Sequence, residues 1–105
     1  MPRLQIMDTT IRDGQQSLWA TRMQIGDMLP ILSKMDRVGY WAIEAWGGAT
    51  FDTCLRFLDE NPWERLRSIK ANTPNTPLSM LSRGQNLVGY KHYSREICNR
   101  FIKAA

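Results

Sequence analysis

Apolar positions along this chain follow two periods, and the places where one gives way to the other mark out its elements. Leu4-Gln5-Ile6-Met7 is a short apolar run that predicts a buried strand. Between Ile25 and Val38, residues Ile25, Met28, Leu29, Leu32, Met35 and Val38 recur at steps of three and four, the stripe of an amphipathic helix. Pro30 then belongs in that helix's first turn, where no amide hydrogen is missed, and Gly39 closes it. Asp27 and Asp36 fall on its solvent face. Tyr40 to Trp46, dense in aromatic and β-favouring residues, predicts a second strand. Phe51 to Leu58 predicts a short helix with Cys54, Leu55 and Leu58 on one side. Another helix starts at Pro62, with Leu66 and Ile69 as its buried stripe. Thr73-Pro74-Asn75-Thr76-Pro77 is a turn, Leu78 to Ser82 a third strand, and Tyr93 to Ala104 a last helix with Ile97, Phe101 and Ile102 inward.

Strands that alternate with helices predict an α/β fold with parallel strands and helical crossovers. In such folds the ligand site lies where the C-terminal ends of the strands converge. Three polar segments stand at those ends: Arg12-Asp13-Gly14-Gln15-Gln16, Trp46-Gly47-Gly48-Ala49-Thr50 and Arg83-Gly84-Gln85-Asn86. The first belongs to a longer polar stretch, Asp8 to Ser17, which is costly to place beside a core unless a charged group sits among it. Asp13 offers a hard oxygen ligand for a divalent cation, and Arg12 a planar fork for a substrate carboxylate. The alternative is a capped helix start, with Asp8, Thr9 and Thr10 capping and Arg12 and Asp13 paired in solvent.

With 105 residues, 43% of them hydrophobic, the chain allows one small domain. Its charge of +4 comes from fourteen basic residues spread among ten acidic ones, with no basic block, which argues against nucleic acid as a partner. No apolar run approaches the roughly 20 residues of a spanning helix, so direct membrane insertion is not expected. Cys54 and Cys98 lack metal or disulfide spacing and read as reduced core thiols of a cytoplasmic protein. Three parallel strands leave two open edges, which predicts self-association of the isolated chain. The chain reads as the beginning of something larger.

The stretch from Asp8 to Met23 resembles the opening of the biotin-dependent carboxyltransferase domain of pyruvate carboxylase, oxaloacetate decarboxylase and transcarboxylase. Trp46-Gly47-Gly48-Ala49-Thr50-Phe51-Asp52, Arg56-Phe57-Leu58, Asn61 to Arg67 and Arg83 to Tyr90 are similar to the same family in order and spacing. The resemblance covers essentially the whole chain. It implies the N-terminal part, about three βα units, of a (β/α)₈ TIM barrel, with residues 1–105 as a partial carboxyltransferase domain. It further implies that Asp13 binds a divalent metal (zinc, manganese or cobalt), that Arg12, Gln16 and Arg83 contact substrate, and that Asp52 and Tyr90 shape the pocket. Relatives often carry histidine where this chain has Gln15, so Gln15 receives no catalytic part.

The implied chemistry of the complete domain is metal-assisted carboxyl transfer between carboxybiotin and pyruvate or oxaloacetate through an enolpyruvate. A biotin carrier domain would deliver the carboxybiotin, and the remainder of the barrel or another subunit would complete the site. The family's His-x-His pair, carboxylated lysine and proton-transferring threonine have no counterpart here. The single histidine, His92, matches a position that is not a ligand. Little or no activity is expected of this chain alone. Two other readings stand beside the enzyme: a non-catalytic barrel remnant acting as an assembly module, and a lyase or condensing synthase of the wider family, against which the Trp46-Gly47-Gly48-Ala49-Thr50 signature argues.

Overall fold

Strand β2 (Ala42–Gly47) is buried at all six positions and forms the centre of the molecule. A strand buried on both faces needs cover on both sides, which parallel neighbours with helical crossovers supply. In the computed structural model, which describes residues 3–83 and 93–105, β2 lies between β1 (Met7–Asp8) and β3 (Leu78–Leu81), parallel to both. Asp8 stands opposite Ile43 on one side, and Gly47 opposite Leu81 on the other. A bulge between Glu44 and Trp46 shifts the β2–β3 register and re-aims the strand's last residues.

Helices α1 (Gln15–Trp19) and α2 (Ile25–Asp36) join β1 to β2. Helices α3 (Gly48–Thr53) and α4 (Pro62–Asn72) join β2 to β3, and α5 (Arg95–Ala104) follows. Two π-helical turns flank the first and third of these, Thr10–Gly14 before α1 and Cys54–Leu58 after α3. Met28, Leu32 and Met35 of α2 pack with Ile11, Ile43, Ala45 and Ile69 in one core. A second cluster is aromatic: the rings of Phe51, Trp63 and Phe101 lie 5.4 to 5.8 Å from that of Trp46, and Phe101 stacks on it within 9° of parallel. The Trp46 indole N–H donates to the Pro62 carbonyl at 3.1 Å, so the ring is buried with its polar atom satisfied. Asn61 caps α4 by accepting from the amides of Trp63 and Glu64, with Pro62 at the first helical position as expected. Gly39, at φ +87°, takes the left-handed conformation expected after α2.

Several expectations are corrected. The first strand is confined to Met7–Asp8, and Leu4 and Ile6 are largely exposed. Among the described residues strand β1 has β2 as its single neighbour, so pairing fades towards Leu4, and the last bond is Trp41 N–H to the Ile6 carbonyl at 2.9 Å. Pro30 lies in the second turn of α2, where it deprives the Gly26 carbonyl of a partner. Both residues are exposed, so water can serve that carbonyl. Leu55 points outward, because the wider π-helical turn no longer holds it on the same face as Leu58. Ile97 and Ile102 flank the buried side of α5, which is set by Cys98 and Phe101.

Asp36 is buried, not a solvent-face charge. Its carboxylate accepts from the Thr76 hydroxyl at 2.7 Å, from the Asn75 amide at 3.1 Å and from the Asn75 side chain at 3.0 Å. The end of α2 is thereby tied to the turn that feeds β3. These bonds, that from Thr76 foremost, favour the ionised form and hold the carboxyl below the ordinary aspartate value. A depressed folded pKa stabilises the fold above the unfolded value, near 4, and that stabilisation is lost as pH falls through the folded value. Denaturant melts of the wild type and Asp36→Asn at pH 7 and pH 3 check this. The variant is expected to be the less stable at pH 7, and the gap is expected to narrow at pH 3.

Candidate active site

The polar segment after β1 is helical, and its first turn is wide. The Thr9 carbonyl accepts from the amides of both Arg12 and Gly14, at 3.2 and 3.0 Å. Asp8 steadies the entry, its carboxylate accepting the Thr10 N–H at 2.9 Å. That carboxylate also holds the Tyr40 phenol above its ordinary pKa by its negative charge. The wide turn sends Arg12 inward, where the residue is only 7% exposed, and leaves the Asp13 side chain 56% exposed. The solvated Arg12–Asp13 pair of the capping alternative is thus not what forms.

The Arg12 guanidinium is held by three acceptors. Nη1 donates to Gln16 Oε1 at 3.1 Å, one helical turn on, and Nη2 donates to Glu44 Oε2 at 3.1 Å. Asp13 Oδ1 lies 3.4 Å from Nη2. Arg12 Nε is buried and has no hydrogen-bond partner among the described residues. Motif and spacing do not single out Glu44, although the sequence carries a signal for it: a carboxylate in the middle of an apolar strand must find a cation. Gln15 is buried away from the cavity and accepts the Met23 N–H at 3.3 Å, a supporting role consistent with assigning it no chemistry.

The second polar segment is also helical from Gly48 onward. Gly47 is fully extended at the end of β2, and a Cβ there would stand 3.3 Å from the Leu81 carbonyl oxygen. The close approach of the β2 and β3 ends therefore favours a residue with no side chain. Asp52, one turn into α3, pairs with Arg56 at 3.1 Å. From the third segment, Arg83 is described; Gly84, Gln85, Asn86, Tyr90 and His92 lie outside the described residues.

These pieces meet. A cavity of about 360 Å³ opens at the C-terminal ends of the strands, and Arg12, Gln16, Asp52 and Arg83 all line it, with Gly47, Gly48 and Ala49 as its backbone wall. Asp13 does not line it. Among the described residues no three His, Cys, Asp or Glu side chains come together as a metal site, and no helix is long and apolar enough to cross a membrane. Cys54 and Cys98 are not in disulfides, and burial raises the pKa of the Cys54 thiol.

No protein-family model matches the chain. Individual relatives do. Over 99 residues it is 62% identical to a pyruvate carboxylase subunit of Methanocaldococcus jannaschii, a match covering 94% of this chain and 18% of that protein. It is 53% identical over 97 residues to the methylmalonyl-CoA carboxyltransferase 5S subunit of Propionibacterium freudenreichii, covering 92% and 19%. The carboxyl transferase domain of Rhizobium etli pyruvate carboxylase, solved with 3-bromopyruvate, superposes with a TM-score of 0.91 at 45% identity, over 97% of this chain and 18% of that one. The chain belongs to the carboxyltransferase family of the biotin-dependent carboxylases. It spans about a fifth of the length of those relatives, and its three βα units match part of the carboxyltransferase barrel.

Within this carboxyltransferase segment the Arg12–Glu44 pair is a buried ion pair, and so sensitive to loss of either partner. Removing the carboxylate leaves a buried guanidinium whose nearest remaining charge is the exposed Asp13. Glu44→Ala is expected to cost about 3 kcal/mol, the usual scale for a buried pair deprived of one partner, measured by urea denaturation. Double replacement of Arg12 and Glu44 by Met and Leu is expected to cost less than the single change.

Proposed function

We propose that this chain supplies one side of the substrate pocket of a biotin-dependent carboxyltransferase, which moves a carboxyl group between carboxybiotin and pyruvate or oxaloacetate. One observation carries the reading: four residues from three separate strand ends line a single cavity, and three of them are Arg12, Arg83 and the amide Gln16. A 2-oxo acid places a carboxylate and a developing enolate oxygen close together. Fixed guanidinium and amide donors stabilise such charge without reorganising during the reaction.

In this proposal Arg12 is the group held most rigidly, with Glu44 and Gln16 fixing its plane, and it faces the oxygen that gains charge. Gln16 and Arg83 orient the substrate carboxylate. Asp52 shapes the pocket wall, and the family resemblance gives the same part to Tyr90, which lies outside the described residues. The related Rhizobium etli carboxyl transferase domain has been solved with oxamate and biotin and with pyruvate and biocytin.

Asp13 enters as one oxygen ligand to a divalent ion. Among the described residues the donors do not fit a complete metal site, since one exposed carboxylate beside a guanidinium cannot hold an ion tightly. Exposed Leu4, Ile6 and Trp41 around β1 and the start of β2 favour completion by further barrel strands, from the remainder of the domain or another subunit.

The test places these 105 residues in the matching segment of the Methanocaldococcus jannaschii protein. Carboxyl transfer is expected to persist, and Arg12→Gln is expected to lower kcat by about a hundredfold, the scale for losing one preorganised donor. A folded chimera in which Arg12→Gln leaves kcat unchanged would overturn the reading, as would appreciable turnover by the isolated 105-residue chain.

A further inference from the structure

Two adjacent residues in the cavity wall, Ala20 and Thr21, take left-handed backbone conformations, at φ +51° and +65°. Neither is glycine, and Thr21 is β-branched, the residue type least suited to that region. Such a conformation persists only where its surroundings over-determine it. As a simple stop for α1 it would be served better by glycine.

The fastening comes from Arg22. Its Nη1 donates to the Ala20 carbonyl at 2.8 Å, and its guanidinium carbon stands 3.8 Å from the centre of the Phe57 ring. Phe57 lines the same cavity from the opposite wall, the π-helical turn after α3, and is itself half exposed. Arg56, next in sequence to Phe57, holds Asp52 at 3.1 Å. Among the described residues no carboxylate pairs with Arg22, so the cation is placed by a ring and a carbonyl.

We propose that Arg22 and Phe57 are positioning residues: a cation–π latch that fastens the strained Ala20–Thr21 wall to the Asp52–Phe57 wall and so sets the width of the cavity. The two segments lie 35 residues apart in sequence, and each borders residues that face the cavity, Gln16 on one side and Asp52 on the other. A cation over an aromatic face attracts without neutralising charge, so the latch closes the walls while keeping the mouth positive. That last consequence, for anion binding, rests on the function proposed above.

The test uses four variants, Phe57→Leu, Phe57→Tyr, Arg22→Gln and Arg22→Lys, with amide exchange read in the ¹⁵N-labelled chain and binding of oxamate, the anionic probe, read in the chimera described above, where the pocket is complete. Phe57→Leu and Arg22→Gln are expected to speed amide exchange at Thr21, Arg22 and Met23 about tenfold, to leave Leu32, Ile43 and Ile69 unchanged, and to weaken oxamate binding about tenfold. Phe57→Tyr keeps the ring and is expected to restore both, and Arg22→Lys to restore them in part. Unchanged exchange at Thr21 to Met23 in Phe57→Leu overturns the latch. Faster exchange with undiminished oxamate affinity overturns its positioning role. A chimera with no substitution that binds no oxamate sinks the anion-pocket reading instead, and the latch is then decided on exchange alone.

Discussion

The Arg12–Glu44 pair is the constraint on which the rest of the site depends. Both charged groups are withdrawn from water, at a cost of several kcal/mol each, and their attraction offsets that cost only with good geometry and satisfied remaining donors. The geometry is built from both sides. A bulge in β2 stands directly beside Glu44, and the wide turn at Thr10–Gly14 carries Arg12 towards it. Gln16, one turn further on, then finds the same guanidinium, so the inward-turned arginine also orders a second polar residue beside it in the cavity wall.

A second buried pair steadies the floor beneath. Glu60 accepts from Arg65 through both Nε and Nη2, at 2.9 and 2.6 Å, and with its other oxygen accepts the Ile25 N–H at the start of α2. Arg65 Nη2 also donates to the Met23 carbonyl at 2.7 Å. Arg65 is 2% exposed, so these contacts act where water does not compete. The network joins α4 to the chain immediately after the left-handed Ala20–Thr21 segment, and it explains how two disfavoured backbone conformations survive next to each other. Strain at the cavity wall is held from below by Arg65 and from the side by Arg22.

Much of this is legible in the sequence, and the parts that are not share a cause. The helix stripe through Met28, Leu32 and Met35, the Asn61-Pro62 start of α4 and the parallel strand order follow from local periodicity and capping, which the folded chain respects. Arg12, Gln16 and Arg83 stand in polar segments at strand ends that converge in this topology, whereas Asp52 is singled out by the family resemblance alone. What periodicity does not show is pairing across sequence distance. Glu44 and Asp36 look like ordinary strand and helix-face charges until Arg12, Asn75 and Thr76 are brought to them from more than thirty residues away. Pattern also assumes 3.6 residues per turn. Both π-helical segments break that assumption, and the outward Leu55 follows from the break.

Those two π-helical turns lie in different places, one before α1 and one after α3, yet each belongs to the helical segment that follows a strand end and each carries an arginine to the cavity. The wider turn does different work in the two. After β1 it turns Arg12 inward against a carboxylate, where burial makes its direction nearly invariant. After β2 it leaves Arg56 63% exposed, tethered by Asp52. Under the function proposed above, the pocket holds a small anion and admits a larger second reactant, which suits two kinds of cation: one fixed by desolvated partners, and one exposed and tethered to Asp52. A regular helix in either place would present its side chains at a different angle, so the irregular backbone is what separates the two roles.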